Sequence, residues 1–534
     1  MISALGFSLC SFAFIPAIAM AAQALTTAPA TTPSVPCVER WGIFEKSFAG
    51  PATGNPFVDV DLSAKFSAGD QTLTVHGFYD GDGVYRIRFM PSALGRWSFI
   101  SQSNCPALSG LSGSFECVEP TPGNHGPVNV ANIYHFAYAD GTPFVAIGTT
   151  CYSWAHQPDL IEEQTLDSLR KSPFNKVRMC VIPTTQSPIF YPYERDAANN
   201  FDHERFNPEF FRHLEKRIGQ LSELGAQADL ILFHPYQKGE MRWFDDLDDT
   251  ADDRYLQYLV ARLSAYRNVW WSLANEYSQV KHKTDRDWDR FFATVAAADP
   301  YGHLRSIHNS ARIYDPNKPW VTHMSIQNGQ AVADFGRAVL YREMCPKPLV
   351  YDEVCYEGDI PARWGHLTAH EMVERFWMGT IAGAYVGHGE TLSSAKGISW
   401  TGTGGRLMGQ SPPRLAFLRQ ILEAGPADGI EPIDEYWQTQ FAGRAGKYYL
   451  VYFGTDRPKS WQFALPRDPP AKLALAPGMK FHVDVLDTWN MTITPVDRIF
   501  ATGEPIDSLF PAIGDAEIPL PGVPDIALRI SRIN

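Results

Sequence analysis

Between residues 38 and 118 polar and apolar positions alternate, with turn residues at short intervals. "VDVDLSAKF", "LTVHGFYDGDGVYRIRFMP" and "GRWSFISQS" set apolar side chains two apart and join them through Asp-Gly and Gly-rich turns, a pattern that predicts strands and tight hairpins. The expected element over 38–120 is a small β-sandwich. "VEPTPGNHGPVNV", dense in Pro, Gly and Asn, marks residues 121–131 as a linker.

From residue 132 the period changes. Short apolar runs recur: "PFVAIGTT", "KVRMCVIP", "ADLILFHPY", "NVWWSLANE", "LRSIHNS", "WVTHMSIQ", "PLVYDEV" and "AGAYVGHGE". Between them, stretches such as "EFFRHLEKRIGQLSELG" and "DDRYLQYLVARLSAY" carry apolar residues three and four apart, as an amphipathic helix requires. Strand-then-helix repetition with near-continuous apolar strands predicts a parallel sheet buried on both faces. Eight such units within 132–428 fit a closed (β/α)8 TIM barrel, and no G-x-G-x-x-G follows the first strand to suggest an open doubly wound sheet. After "AGPADGIEP" the alternation returns in "YYLVYFG", "KFHVDVLDTWNMTITP" and "DIALRIS", predicting a second β-sandwich over 429–534. The expected fold class is α/β, a barrel between two sandwiches.

Composition narrows the partners. The formal charge of −13 leaves no basic stripe to neutralise phosphates, so nucleic acid is excluded as a partner. The 14 Trp and 22 Tyr exceed what packing demands and lean towards surfaces that stack on sugars. Residues 1–24 read as an export signal: an apolar stretch, without a preceding Lys or Arg, followed by small residues of the A-x-A kind. "TTAPATTPSVP" continues as a flexible tether over 25–37, and no later run is long and apolar enough to span a membrane. A periplasmic or secreted protein is expected. Cys105 with Cys117, and Cys345 with Cys355, are candidate local disulfides in such a compartment. No C-x-x-C occurs and no two of His234, His308 and His323 stand at H-x-x-x-H spacing, and the acidic run "FDDLDDTADDR" lacks the Gly and closing Glu of an EF-hand, so it reads as a solvated helix start. No metal or other cofactor is expected, and oligomeric state is left open.

In a TIM barrel the reacting side chains come from the C-terminal ends of strands. Glu276 ends the fourth run and Glu353 the seventh, placing two carboxylates across the mouth from one another. Such a pair can work as acid/base and nucleophile of a retaining glycosidase, the first kept protonated by partial burial and the second kept ionised by a neighbour such as Arg178. Asn275 is placed to hydrogen-bond a sugar hydroxyl beside the reacting carbon. Further strand-end candidates for substrate contact are His234, Tyr236, His308, His323, His388 and Glu390, with Trp154, Trp243 and Trp400 as stacking platforms. Trp270 and Trp271 alternate within a buried strand and read as core.

The Asn-Glu ending of the fourth strand and the Glu ending the seventh resemble the clan A retaining glycoside hydrolases. Within that clan, "VERWGIFEKSF", "GHGE" and "VDVLDTWNMTI" are similar to segments of bacterial apiosidase-like glycosidases, which carry a sandwich on each side of the barrel. The resemblance covers nearly all of 38–534. It implies Glu276 as acid/base, Glu353 as nucleophile, Asn275 and Arg178 beside them, and His388 and Glu390 near substrate. Apiosidases use an Asp on one side, so apiose specificity is not implied. The expected function is an exported retaining glycosidase acting on a plant or microbial poly- or oligosaccharide. Long segments after the second and third strands would wall the mouth and favour exo action. A non-catalytic carbohydrate-binding barrel is the alternative.

Overall fold

A computed structural model describes residues 35–533 apart from 185–190, 237–243, 330–334, 394–398, 434–440, 467–474 and 508. The expected signal, most of the tether, Trp243 and parts of both mouth-walling segments lie outside the described residues.

The eight apolar runs form eight parallel strands. They are β1 (Gly148–Thr150), β2 (Lys176–Cys180), β3 (Gln227–Phe233), β4 (Val269–Ala274), β5 (Arg305–Ser306, resuming at His308–Asn309), β6 (Met324–Gln327), β7 (Leu349–Glu353) and β8 (Ala384–His388). Each pairs with the next, and β1 pairs with β8 through Gly148↔Gly387. The break at Ile307 lets the first half of β5 pair with β4 and the second half with β6, closing the ring.

Below the barrel the strand Val128–Ala131 pairs with His135–Tyr138, so part of the expected linker is a hairpin. It plugs the floor: Phe136 packs on Trp270 at 5.0 Å, joined by Phe144, Leu304 and Val350. Each such buried aromatic or aliphatic side chain stabilises by about 1.5–3 kcal/mol. The acidic run is a capped helix start, as expected. Asp248 caps the helix Asp249–Leu263 by accepting from Ala251 N, and Asp252 and Asp253 pair with Lys283 and Arg290 of the next unit.

The N-terminal domain is a seven-stranded sheet that rolls on itself. The edge strand Phe44–Ala49 lies five places from Ser112–Val118 in strand order, yet Phe44 and Phe115 stack at 4.3 Å. It docks on the barrel's outer helices through a buried ionic patch in which Arg88 and Arg262 share Glu215, and Arg262 also holds Asp80. The C-terminal domain packs a large antiparallel sheet against two short strand pairs around Phe463, Phe481 and Phe500. Its Tyr452 stacks on Trp377 of the barrel at 5.4 Å.

The candidate disulfides are not formed; the seven cysteines among the described residues are free. Cys345 precedes β7 and Cys355 follows it, so an extended strand holds them apart. Cys117 pairs with Gly95 at the start of the strand Gly95–Ser103, whereas Cys105 lies past that strand's other end. Either bridge would need Cα atoms within about 7 Å. Among the described residues no helix is long and apolar enough to cross a membrane.

Candidate active site

The barrel interior is layered by charge. Lys176 and Arg178 sit two apart on β2, so both point inward. Lys176 Nζ lies 2.6 Å from Asp229 of β3 and 2.7 Å from Asp352 of β7, with all three side chains buried. One layer higher, Arg178 Nη1 donates to Glu353 Oε1 at 2.8 Å and Nη2 donates to Asn275 Oδ1. Consecutive residues on a regular strand face opposite sides, yet Asp352 and Glu353 both reach inward. The cause is an irregularity in the β6–β7 ladder: Ser325 pairs with Val350 but Gln327 pairs with Glu353, so β7 carries one extra residue. The bulge turns Glu353 into the mouth.

Glu353 is 3% exposed and tightly held. Tyr152, two residues past β1, donates its hydroxyl to Oε1, and His308 Nε2 stands 3.5 Å away. Burial alone would raise the Glu353 carboxyl; His308, Arg178 and hydroxyls from Tyr152 and Tyr356 outweigh it and hold the group below its usual range. The His308 imidazole is itself pushed down to about 3 by burial, with Arg178 adding, and is neutral at neutral pH. Arg178 therefore supplies the countercharge.

Glu276 ends its strand differently. It takes a left-handed backbone at φ 42°, ψ 50°, uncommon without glycine and characteristic of functional sites. This turn, directly after the wholly buried Asn275, leaves the Glu276 side chain half-buried. Tyr236 donates its hydroxyl to Oε2, and Gln279 donates to Oε1 at 2.7 Å. Burial raises the Glu276 carboxyl and the Glu353 charge adds to it, against the Tyr236 hydrogen bond, leaving the net shift upward. Asn275 Nδ2 donates to Tyr236 Oη at 2.5 Å and to Tyr152 Oη at 3.3 Å. The two carboxylates are thus the ends of one hydrogen-bond chain through Tyr236, Asn275 and Tyr152, and their affinities for a proton are pushed apart.

The other expected contacts divide. His234 is buried beneath Tyr236, with its ring 5.5 Å from the phenol and its Nε2 2.9 Å from Ile182 O, so it props the residue that holds Glu276. His308 stands beside Glu353 with Nδ1 on Ser325 Oγ at 2.9 Å, and Ser325 donates to Asp352 at 2.5 Å. His323 is at the other end of the barrel: its strand starts one residue later, and the ring packs edge-on to Phe136 and Trp270 in the floor. Trp154 and Trp400 are fully buried and present no face to a sugar; their indole N–H groups go to Met179 Sδ and Thr149 Oγ1. His388 stacks on Phe174 and Glu390 meets the loop before the helix Ser411–Glu423, both buried behind the barrel wall. With Glu357 they form the group able to hold a cation among the described residues. Trp270 and Trp271 are core, as expected.

Tyr152, Tyr356, Gln327 and Trp364 are additions to the site. Gln327 hydrogen-bonds Glu276, and the half-buried Trp364 lies edge-on to Tyr356 at 6.2 Å. The signal for Tyr152 and Tyr356 was present as an aromatic hydroxyl two or three residues past a strand end.

Comparison with known proteins bears on the fold and the family. Residues 131–390 match the apiosidase-like catalytic domain, and residues 37–104 and 437–531 match two domains of unknown function, DUF5060 and DUF5605. The chain is 41% identical to a candidate glycoside hydrolase of Bacteroides vulgatus ATCC 8482 whose crystal structure superposes with a TM-score of 0.88, over 93% of this chain and 100% of that one. A glycoside hydrolase family 5 structure from the same organism is 15% identical with a TM-score of 0.55, covering 77% of this chain and 94% of that chain. A further glycoside hydrolase is 14% identical with a TM-score of 0.58, over 77% and 98%; these two share the fold. No curated protein matches. With its catalytic barrel at residues 131–390 and a sheet domain on either side, the chain belongs to the apiosidase-like family of glycoside hydrolases.

Proposed function

We propose that the protein is an exported retaining glycosidase that cleaves a plant or microbial poly- or oligosaccharide by double displacement. Glu353 attacks the anomeric carbon while Glu276 protonates the leaving oxygen. Glu276 then deprotonates the water that releases the sugar. The observation that carries this reading is the opposite tuning of the two carboxyls along one hydrogen-bond chain, Glu353 shifted below the usual carboxylate range and Glu276 above it. Asn275, fixed by Arg178, is assigned to the hydroxyl next to the reacting carbon. Exo action is part of the proposal and rests on the long segments after β2 and β3. The test is proton NMR of the first product formed from an aryl glycoside that a panel of pyranosides and furanosides shows to be cleaved. Retention of anomeric configuration supports the mechanism; inversion overturns it. Glycan binding without turnover of any substrate would favour the binding-protein alternative.

The pH dependence follows from the same pair. Glu353 must be ionised, and its lowered pKa puts the acidic limb of kcat/KM below the usual carboxylate range. Glu276 must be protonated, and its raised pKa puts the basic limb above that range. Activity is expected to be lost as pH rises through the Glu276 value and as it falls through the Glu353 value. Glu276→Gln should abolish the basic limb and cost roughly 10²–10⁴-fold on substrates with poor leaving groups. On a dinitrophenyl glycoside, whose leaving group needs no proton, the bond-breaking step should be nearly unaffected. An unchanged basic limb in the variant would remove Glu276 from the acid/base role.

A further inference from the structure

A second acidic group is buried behind the barrel wall, apart from the mouth. Glu357 lies four residues past β7, His388 ends β8, and Glu390 follows two residues on; they are 5%, 0% and 0% exposed. The two segments are laced together by Glu357 N to Gly389 O at 3.0 Å and Thr391 N to Glu357 O at 2.8 Å. The chain entering the helix Ser411–Glu423 closes over both carboxylates. Met408 N and Gly409 N donate to Glu390 at 2.8 Å each, Gln410 N to Glu357 at 2.7 Å, and Ser411 N and Oγ to Glu357 at 3.2 and 2.5 Å. A Cβ at Gly409 would stand 2.5 Å from Glu357 Oε2 and 2.7 Å from Glu390 Oε2, so both carboxylates crowd one point.

Among the described residues neither carboxylate has a Lys or Arg partner, and the charge acting on Glu390 is that of Glu357. Two buried carboxylates that face each other need a counterion or a shared proton. His388 distinguishes the two. Its Nδ1 is 3.1 Å from Thr149 Oγ1, its ring stacks on Phe174 at 4.7 Å, and its Nε2 has no partner although the residue is wholly buried. One ligating atom from each of the three side chains lies within 4.8 Å of the other two. Bonds of about 2.0–2.2 Å put two ligands of a tetrahedral ion roughly 3.3–3.6 Å apart, so closing on an ion takes a movement of about an ångström. A metal-ligating His has its other ring nitrogen held by a hydrogen bond, and Thr149 Oγ1 provides one here. Two carboxylates with one imidazole suit a transition cation, whereas Ca²⁺ favours an all-oxygen shell.

We propose that Glu357, His388 and Glu390 bind one divalent transition-metal ion of the Zn²⁺ or Mn²⁺ kind, which ties the ends of β7 and β8 together. The ion is structural and takes part in no reaction step. It acts on the mouth through Gly389, where a Cβ would lie 2.0 Å from the Tyr356 ring. Tyr356 Oη is 3.5 Å from Tyr152 Oη, which in turn donates to Glu353. The site therefore braces the wall beside Glu353 without touching it.

The test uses the full chain after dialysis against EDTA, then incubation with ZnCl₂ or MnCl₂, desalting and elemental analysis. One equivalent of Zn²⁺ or Mn²⁺ retained per chain is expected, with the melting temperature raised by about 5 °C or more. His388→Leu should weaken retention about 10- to 100-fold, and Glu357→Gln/Glu390→Gln should abolish it while circular dichroism remains that of a folded barrel. Because these variants are buried, the wild-type result also stands alone: less than a tenth of an equivalent with no thermal shift for either ion overturns the proposal. So does equal retention by the folded double variant, or stabilisation by CaCl₂ only. A shared proton would instead show as metal-independent stability that falls as pH rises through about 7, the value to which burial lifts Glu390.

Discussion

Glu353→Ala is expected to lower kcat/KM on an aryl glycoside by roughly four orders of magnitude or more, and sodium azide is expected to restore much of the loss. The size follows from the proposed role: without the carboxylate no glycosyl-enzyme forms, and what remains is binding and acid catalysis by Glu276. Rescue follows from geometry. The substitution opens a space beside Arg178, Tyr152 and His308, all of which face the lost carboxylate. A small anion entering that space meets the same cation and hydroxyl donor, and can attack the anomeric carbon from the nucleophile's side. The product is then a glycosyl azide of inverted configuration. The variant also leaves the Arg178 guanidinium, 1% exposed, with Asn275 as its remaining polar partner at that end. Its melting temperature should fall, so rescue must be read on folded protein. A folded Glu353→Ala enzyme that keeps wild-type turnover, or loses it without any response to azide, would remove Glu353 from the nucleophile's role.

The eight strands and both carboxylates were legible because each depends on local pattern: a short apolar run, then a polar residue at its end. What lay hidden depends on orientation. "KVRMC", "QADLILF" and "LVYDE" read as apolar runs, yet Lys176, Arg178, Asp229 and Asp352 occupy their inward positions and fill the barrel with charge. Alternation within a strand identifies two faces but not which one meets the axis. The bulge that turns Glu353 inward arises between two strands and leaves no trace in either alone. His323 directly precedes its strand, whose mouth end is Gln327, so its ring lies in the floor. Trp154 and Trp400 lie in the segments that follow β1 and β8, and His388 ends β8, but their side chains turn to the helical layer, where Met179, Thr149 and Phe174 receive them. The group of Glu357, His388 and Glu390 is brought together from two separate segments, so no spacing announces it.

Lys176→Met should be the most damaging substitution for stability, more so than loss of either mouth carboxylate. Lys176 is the shared partner of Asp229 and Asp352, and all three are nearly inaccessible to water. Methionine fits the same volume beside the Trp270 ring, 5.5 Å from the ammonium, so packing is preserved and the change is electrical. Removing the cation leaves two carboxylates uncompensated in the barrel centre, a situation that costs about 3–5 kcal/mol. For a chain with a barrel of this size that corresponds to a melting temperature lower by roughly 10 °C, read by calorimetry. Burial and the Asp352 charge already lift Asp229 above its usual value, whereas Lys176 and Arg178 outweigh burial at Asp352. Without Lys176 the first protonation therefore falls on Asp229, and the variant should lose stability as pH rises through the elevated value. The triple change Lys176→Met, Asp229→Asn, Asp352→Asn removes the stranded charge along with its partner. It should regain a large part of the loss, a non-additivity expected only of groups in one network. The triple variant would nonetheless be impaired in catalysis, because Asp352 accepts from Ser325, which holds His308 beside Glu353. Recovery of stability without recovery of kcat would place the Lys176 layer beneath the site as its electrostatic footing. A Lys176→Met barrel as stable as the parent would show that the charged interior carries no such strain.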